Sequence, residues 1–207
     1  MAGGERYAAH AMTAELAHAE LMSVADYLAW EEAREMRHEY VGGVVYAMAG
    51  GTEAHAALSA NVLVAFAVQL RGRRCRAYGP DLKMRVQYPT HTRFYYPDAM
   101  VVCSREPGGV LFTDSPTVIV EVISPSSRRV DLGEKCEAYL TISSLQAYLV
   151  FETARAEAVV WRRGDQGFSR EVYAGLEAVI DLPEIEARLP LADAYEAVEL
   201  VVPPAEN

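Results

Sequence analysis

One segment, Thr117-Val-Ile-Val-Glu-Val-Ile123, constrains this 207-residue chain more than any other. Nearly every residue in it is β-branched, the composition of a central strand covered on both faces. Such a strand has no solvent side, so the chain must place further layers above and below its sheet. Glu121 stands in the middle of the run. Burying an unpaired carboxylate costs several kcal/mol, so a fold that encloses Glu121 must bring it a cation, a proton or a metal ion. The competing reading is a Glu on a solvated edge.

The rest of the sequence is that of an α/β protein. Asp and Glu number 29 against 19 Lys and Arg, a formal charge of −10, and 51% of residues are apolar. This profile excludes a disordered chain, a collagen-like repeat and a small disulfide scaffold. It also argues against a protein that coats nucleic acid non-specifically, which needs clustered cations. Residues 1 to about 20 read as a weakly ordered extension with no secretory pattern, and 21–207 as a single domain. The most apolar long window, Ala54 to Leu70, is broken by His55, Ser59, Asn61 and Gln69 and falls short of a membrane span. Cys75, Cys103 and Cys136 are widely spaced with no C-x-x-C, which predicts buried reduced thiols in a cytoplasmic protein.

Along the chain, Ser23 caps a first helix over about 23–35, and Tyr40 to Met48 holds two β-prone stretches around a Gly42-Gly43 turn or one bent strand. Thr52 or Glu53 opens a helix with Leu58, Val62, Ala65, Phe66 and Leu70 on one face. Leu82 to Gln87 alternates as a half-exposed strand, and Pro97 to Cys103 is a second strand. Asp131 opens a helix to about Ile142, with Glu134 completing a capping-box-like start. Ala147 to Glu152 is an apolar strand, and Ala158–Trp161 with Phe168–Tyr173 form a hairpin. Leu189 to Val202 predicts a short helix with a loose end. The order calls for one mixed sheet.

Two residues, Asp98 and Lys135, gather around the Glu121 problem. Pro97 fixes the backbone ahead of Asp98, holding that carboxylate at a strand start. If the two strands are antiparallel neighbours, about 4.8 Å apart, Asp98 and Glu121 can share Mg²⁺ or Mn²⁺, an ion content with one or two carboxylates plus water. Lys135, at about 100° per residue from Leu132, sits on the edge of its helix's apolar face and can reach toward the sheet. It can equally serve as the i,i+4 partner of Asp131. Asp81 and Lys83 flank a strand start; Lys83, alternating with Met84, also fits a solvated face. His55 on an apolar helix face fits a structural role.

Together, Pro97-Asp98, Glu121-Val-Ile-Ser-Pro-Ser-Ser127 and Asp131-x-x-x-Lys135-x-x-x-Tyr139 resemble the Uma-two family of restriction endonucleases. So do His38-Glu39-Tyr-Val-Gly-Gly-Val-Val-Tyr46, His55, Gly79-Pro-Asp-Leu-Lys83 and the Ala147–Val150 strand. The resemblance runs from about Ser23 to Val198. It implies the PD-(D/E)xK nuclease superfamily, with a restriction-endonuclease-like αβββαβ core, a mixed central sheet and here an added hairpin. It further implies catalytic Asp98, Glu121 and Lys135, metal held by Asp98 and Glu121, and auxiliary Glu39, His55, Asp81 and Lys83. The superfamily signature carries its lysine two residues after the glutamate, where this chain has Ile123, so the resemblance hands that role to Lys135. A homodimer is implied, since cutting both strands takes two sites. Arg128 and Arg129, beside the proposed site, are candidate nucleic-acid contacts. Two alternatives remain: a catalytically inert module of the same fold that binds DNA or a protein, and a phosphoesterase acting on small nucleotides.

Overall fold

The computed structural model describes residues 21–48, 50–104, 110–123, 128 and 130–200. The expected extension at 1–20 and the end of the tail lie outside the described residues. Two sheets of five and six strands hold eleven of the thirteen strands among the described residues.

The predicted buried run forms β8 (Pro116–Ile123), flanked by β6 (Ala99–Val102), antiparallel, and β9 (Ala147–Glu152), parallel. The parallel step needs a crossover, which the helical segment 130–140 supplies. The six strands run β11-β10-β9-β8-β6-β3, with β3 (Arg76–Tyr78) on one edge and the hairpin of β10 (Glu157–Gly164) and β11 (Gly167–Ala174) on the other. Helix α2 (Glu53–Gln69) covers one face with Leu58, Val62 and Phe66, sealing a core that includes Val101, Val120, Leu149 and Val160. The opposite face packs Met100, Ile119, Ile123 and Tyr148 against α3 (Cys136–Leu140). In chain order these elements give the expected αβββαβ core with its added hairpin.

The first strand of that core is β3, whose three residues carry no period that could announce it. The alternating segment read as that strand is β4 (Lys83–Gln87), and it lies in the second sheet. That sheet has the order β2-β1-β5-β4-β7. It is built from the hairpin β1 (His38–Val41) and β2 (Val44–Ala47), from β5 (Thr92–Tyr95) and from β7 (Phe112–Thr113). Gly42 and Gly43 close the β1–β2 hairpin at φ +58° and +105°, a two-residue turn with both centres in the left-handed half of φ space. Helix α1 (Val24–Glu32), capped by Ser23, packs Tyr27 on Tyr40 and Phe94 behind this sheet.

Two further expectations are corrected. Cys75 and Cys103 are joined as a disulfide and only Cys136 is a free buried thiol. The antiparallel pairing of Arg76 with Val102 brings the two neighbouring cysteines side by side, a proximity across strands that spacing along the chain does not report. The tail helix shrinks to α4 (Leu191–Ala194), because Ala187–Pro190 pairs as β13 with β12 (Val179–Leu182).

Candidate active site

The register that sets Ala99 against Val120 leads one step further to Asp98 beside Glu121. Asp98 precedes β6, where Pro97 holds the chain extended. Its Oδ2 accepts a hydrogen bond from the Val122 N–H at 2.7 Å and lies 3.3 Å from His55 Nε2. His55 occupies the first turn of α2, which Thr52 caps by accepting from the His55 N–H. Gly51 packs against this ring so tightly that an added Cβ would sit 2.7 Å from its Nδ1. The hydrogen bond to Asp98 is the largest influence on His55 and holds its pKa above the usual histidine value, against a smaller opposing effect of burial.

Glu121 is 4% exposed. Its Oε1 accepts from the Tyr139 hydroxyl at 2.7 Å and from Lys135 Nζ at 3.3 Å. Lys135 Nζ also lies 2.9 Å from Glu39 Oε1, 3.4 Å from Asp131 Oδ1 and 5.6 Å from the centre of the Tyr95 ring. Glu39 and Tyr95 come from the second sheet and Glu121 from the central one, so the lysine ties the two sheets together. It projects from a turn of π-helix, Val130–Lys135, that leads into α3. Such turns are frequent at functional sites. The capping box expected here does not form: Asp131 is buried against Lys135, and Glu134 accepts from Arg93 and Tyr95.

The charges do not balance locally. Glu39, Asp98, Glu121 and Asp131 face one lysine and one histidine. Burial drives the Glu121 carboxyl well above the usual carboxylate range, with Asp98 and Asp131 adding to the rise and Lys135 opposing it. Burial alone would lower Lys135, but Glu121, Glu39 and Asp131 outweigh it and hold the ammonium protonated. Glu39 Oε1 is fully buried without a hydrogen bond of acceptable geometry, Lys135 being its ionic contact. An all-oxygen donor set with surplus negative charge and an underused buried oxygen suits a hard divalent cation. Among the described residues no three His, Cys, Asp or Glu side chains form a ready-made cage. Asp98 and Glu121 therefore fit an ion that keeps most of its waters.

Behind the second sheet, Glu31 buttresses both approaches to this cluster. Its Oε1 accepts from the His38 N–H at 2.8 Å and from the Tyr96 hydroxyl at 2.7 Å, and its Oε2 lies 3.0 Å from His38 Nδ1. His38 adjoins Glu39, and Tyr96 stands two residues before Asp98.

Of the sequence-predicted residues, Asp98, Glu121, Lys135, Glu39 and His55 converge. Asp81 and Lys83 do not. Asp81 is an exposed partner of Arg37, while Lys83 is buried rather than solvated and lies over the Tyr96 ring at 5.6 Å. Burial lowers its pKa. Arg128 holds Glu152 with contacts of 2.5 and 2.7 Å, and Arg129 lies outside the described residues. The sequence alone gives Tyr139 no chemical role and singles out neither Tyr95 nor Glu31; the i,i+4 series Asp131, Lys135, Tyr139 is the signal that a single polar face points inward.

A family model described as "Uma2: Putative restriction endonuclease" matches residues 24–192. Two relatives come from Synechocystis sp. (strain ATCC 27184 / PCC 6803 / Kazusa). Uncharacterized protein slr1290 is 34% identical over 148 residues, which is 70% of this chain and 76% of that protein. Uncharacterized protein sll1609 is 29% identical over 144 residues, 66% of this chain and 78% of that protein. Among solved structures, "a putative nuclease belonging to DUF820" from Anabaena variabilis ATCC 29413 superposes with a TM-score of 0.67 at 17% identity, covering 84% of this chain and 97% of that one. At that identity the likeness establishes the restriction-endonuclease-like fold.

Proposed function

This chain belongs to the Uma2 family of putative restriction endonucleases, and from that premise we propose that it is a metal-dependent endonuclease hydrolysing phosphodiester bonds of DNA. The observation that carries the reading is that Lys135 reaches buried Glu121 from the crossover helix, with half-buried Asp98 beside that glutamate, although Ile123 fills the usual lysine position. Asp98 and Glu121 would hold Mg²⁺ or Mn²⁺. When bound, such an ion acidifies a coordinated water and neutralises charge growing on the scissile phosphate.

The protein's own residues prepare the rest. Tyr139 fixes the Glu121 carboxylate, and the Val122 N–H with His55 fixes that of Asp98. Glu39 and Asp131 keep Lys135 charged. That ammonium orients the attacking water and stabilises the crowded phosphate as the O3′ leaving group departs. The same proposal takes residues 21–207 as one domain, places the protein in the cytoplasm with its DNA and pairs two copies for the two strands. No helix among the described residues is long and apolar enough to cross a membrane.

The test incubates purified protein with plasmid, single-stranded DNA, RNA and nucleotides in Mg²⁺, Mn²⁺ or chelator. Metal-dependent cutting of DNA, lost in Asp98→Ala and Glu121→Ala, is the expected result. Undiminished cutting by Glu121→Ala overturns it.

A further inference from the structure

Helix α2 packs on the central sheet and, through Asn61 and Gln69, on the β13–α4 segment, but one apolar side is left open. Leu58, Val62 and Phe66 face the core, whereas Ala60, Val64, Ala67 and Val68 are exposed, the two valines at 60% and 59%. A helix of this composition is normally enclosed all round, and a row of exposed apolar side chains marks a contact surface. At about 100° per residue, Glu53, Ala57, Ala60, Val64 and Ala67 lie within about 60° of one line along the helix, and Arg71 follows in the turn just past its C-terminal end. That row is symmetric about Val62. Glu53 and Arg71 are its ends, Ala57 and Ala67 come next, and Ala60 and Val64 flank the centre.

The ends carry opposite charge. Both are exposed, and among the described residues neither makes an ion pair or side-chain hydrogen bond within its own chain. A two-fold contact repeats each pairing twice, so a self-complementary surface must present a feature and its complement at equal distances from the axis. This row does so: an antiparallel copy sets Glu53, at the start of each helix, against Arg71, just past the end of the other. The alanines between them let the backbones approach closely, and the helix dipoles oppose.

We propose that the exposed face of α2 is where a second copy of this chain binds, antiparallel, around a two-fold axis near Val62. The inference rests on the paired-copy reading above and goes beyond it by naming the surface. Because His55 begins the same helix, the contact anchors one wall of each candidate site to its twin.

Sedimentation velocity of the full chain over a concentration series tests it without reference to cleavage. The wild type associates to a dimer. Val64→Glu weakens the dimer by about a hundredfold, and Glu53→Arg or Arg71→Glu weakens it by about tenfold, two exposed ion pairs being lost each time. The combined Glu53→Arg/Arg71→Glu chain recovers to within about threefold of wild type, a rescue that misfolding cannot imitate. A wild type that stays monomeric at about 100 μM, a concentration at which a 10 μM contact is mostly formed, overturns both pairing and surface. A dimer indifferent to all these changes overturns the surface alone. Its loss in Val172→Glu would then place the contact on the β10–β11 hairpin, whose Val172 is half exposed.

Discussion

Lys135→Met removes the one lysine in a cluster of four carboxylates and replaces it with a side chain of similar length. The Lys135 side chain is 9% exposed, and those of Glu121 and Asp131 are 5% and 6%, so water cannot take over the lost ion pairs. Removing one partner of a buried pair costs about 3–5 kcal/mol, because the remaining charge is left uncompensated. At roughly 2–4 °C per kcal/mol for a chain of this length, the melting temperature in chelator falls by about 6–20 °C at pH 8. The penalty belongs to ionised carboxylates, so it must shrink as they take up protons. Glu121 is already pushed upward by burial and protonates first. Calorimetry at pH 8 and pH 5.5 should therefore show the variant closing much of its gap to wild type at the lower pH. Mn²⁺ should stabilise the variant more than the wild type, since the ion supplies the missing positive charge. A melting point unchanged at pH 8 would refute the reasoning. So would a loss of equal size at both pH values, which would point to packing and not charge.

Metal-free wild type should itself lose stability as pH rises from about 5 to 8. Folded Glu121 and His55 both have raised pKa values, so the stability linked to each is present below its unfolded pKa and lost as pH passes its folded pKa. Glu121→Gln should flatten the Glu121 part of this slope, and a wild-type profile that rises over this interval contradicts the assignment. Glu31→Ala should lower kcat about tenfold, about 1.4 kcal/mol, with KM for DNA unchanged, because it frees the two segments that carry Glu39 and Asp98. Glu31→Gln, which still accepts from His38 and Tyr96, should keep most activity; a drop in melting temperature with kcat intact would make Glu31 structural only.

What the sequence disclosed divides along the reach of the physical signal. Period and propensity exposed β8, α2, β9 and the β10–β11 hairpin, because each is long enough to repeat. They could not expose β3 or β7, at three and two residues. Nor could they separate two sheets: the alternation of Lys83 to Gln87 gives a strand and a buried face but not a neighbour. Lys83 shows the same limit on a single side chain. Alternation put it on the water side, yet its ammonium lies against the Tyr96 ring, within the field of Glu31 and Glu32. Cys75–Cys103 is likewise a consequence of pairing across strands.

The candidate site was legible to the extent that it is an electrostatic necessity. A carboxylate inside an apolar strand demands a counter-charge, and Ile123 cannot provide one. The nearest lysine able to turn inward is 14 residues away on the crossover from β8 to β9. A parallel strand pair requires such a crossover to pack back over the sheet, so a lysine on its inward face is delivered over the strand it left. On the strand, a lysine would share the fixed alternation of its neighbours. On the helix it can be gripped from two sheets at once, by Glu39 and by Glu121. The topology thus permits the lysine to leave the strand without leaving the site, and the price is a denser cluster of carboxylates to hold it there.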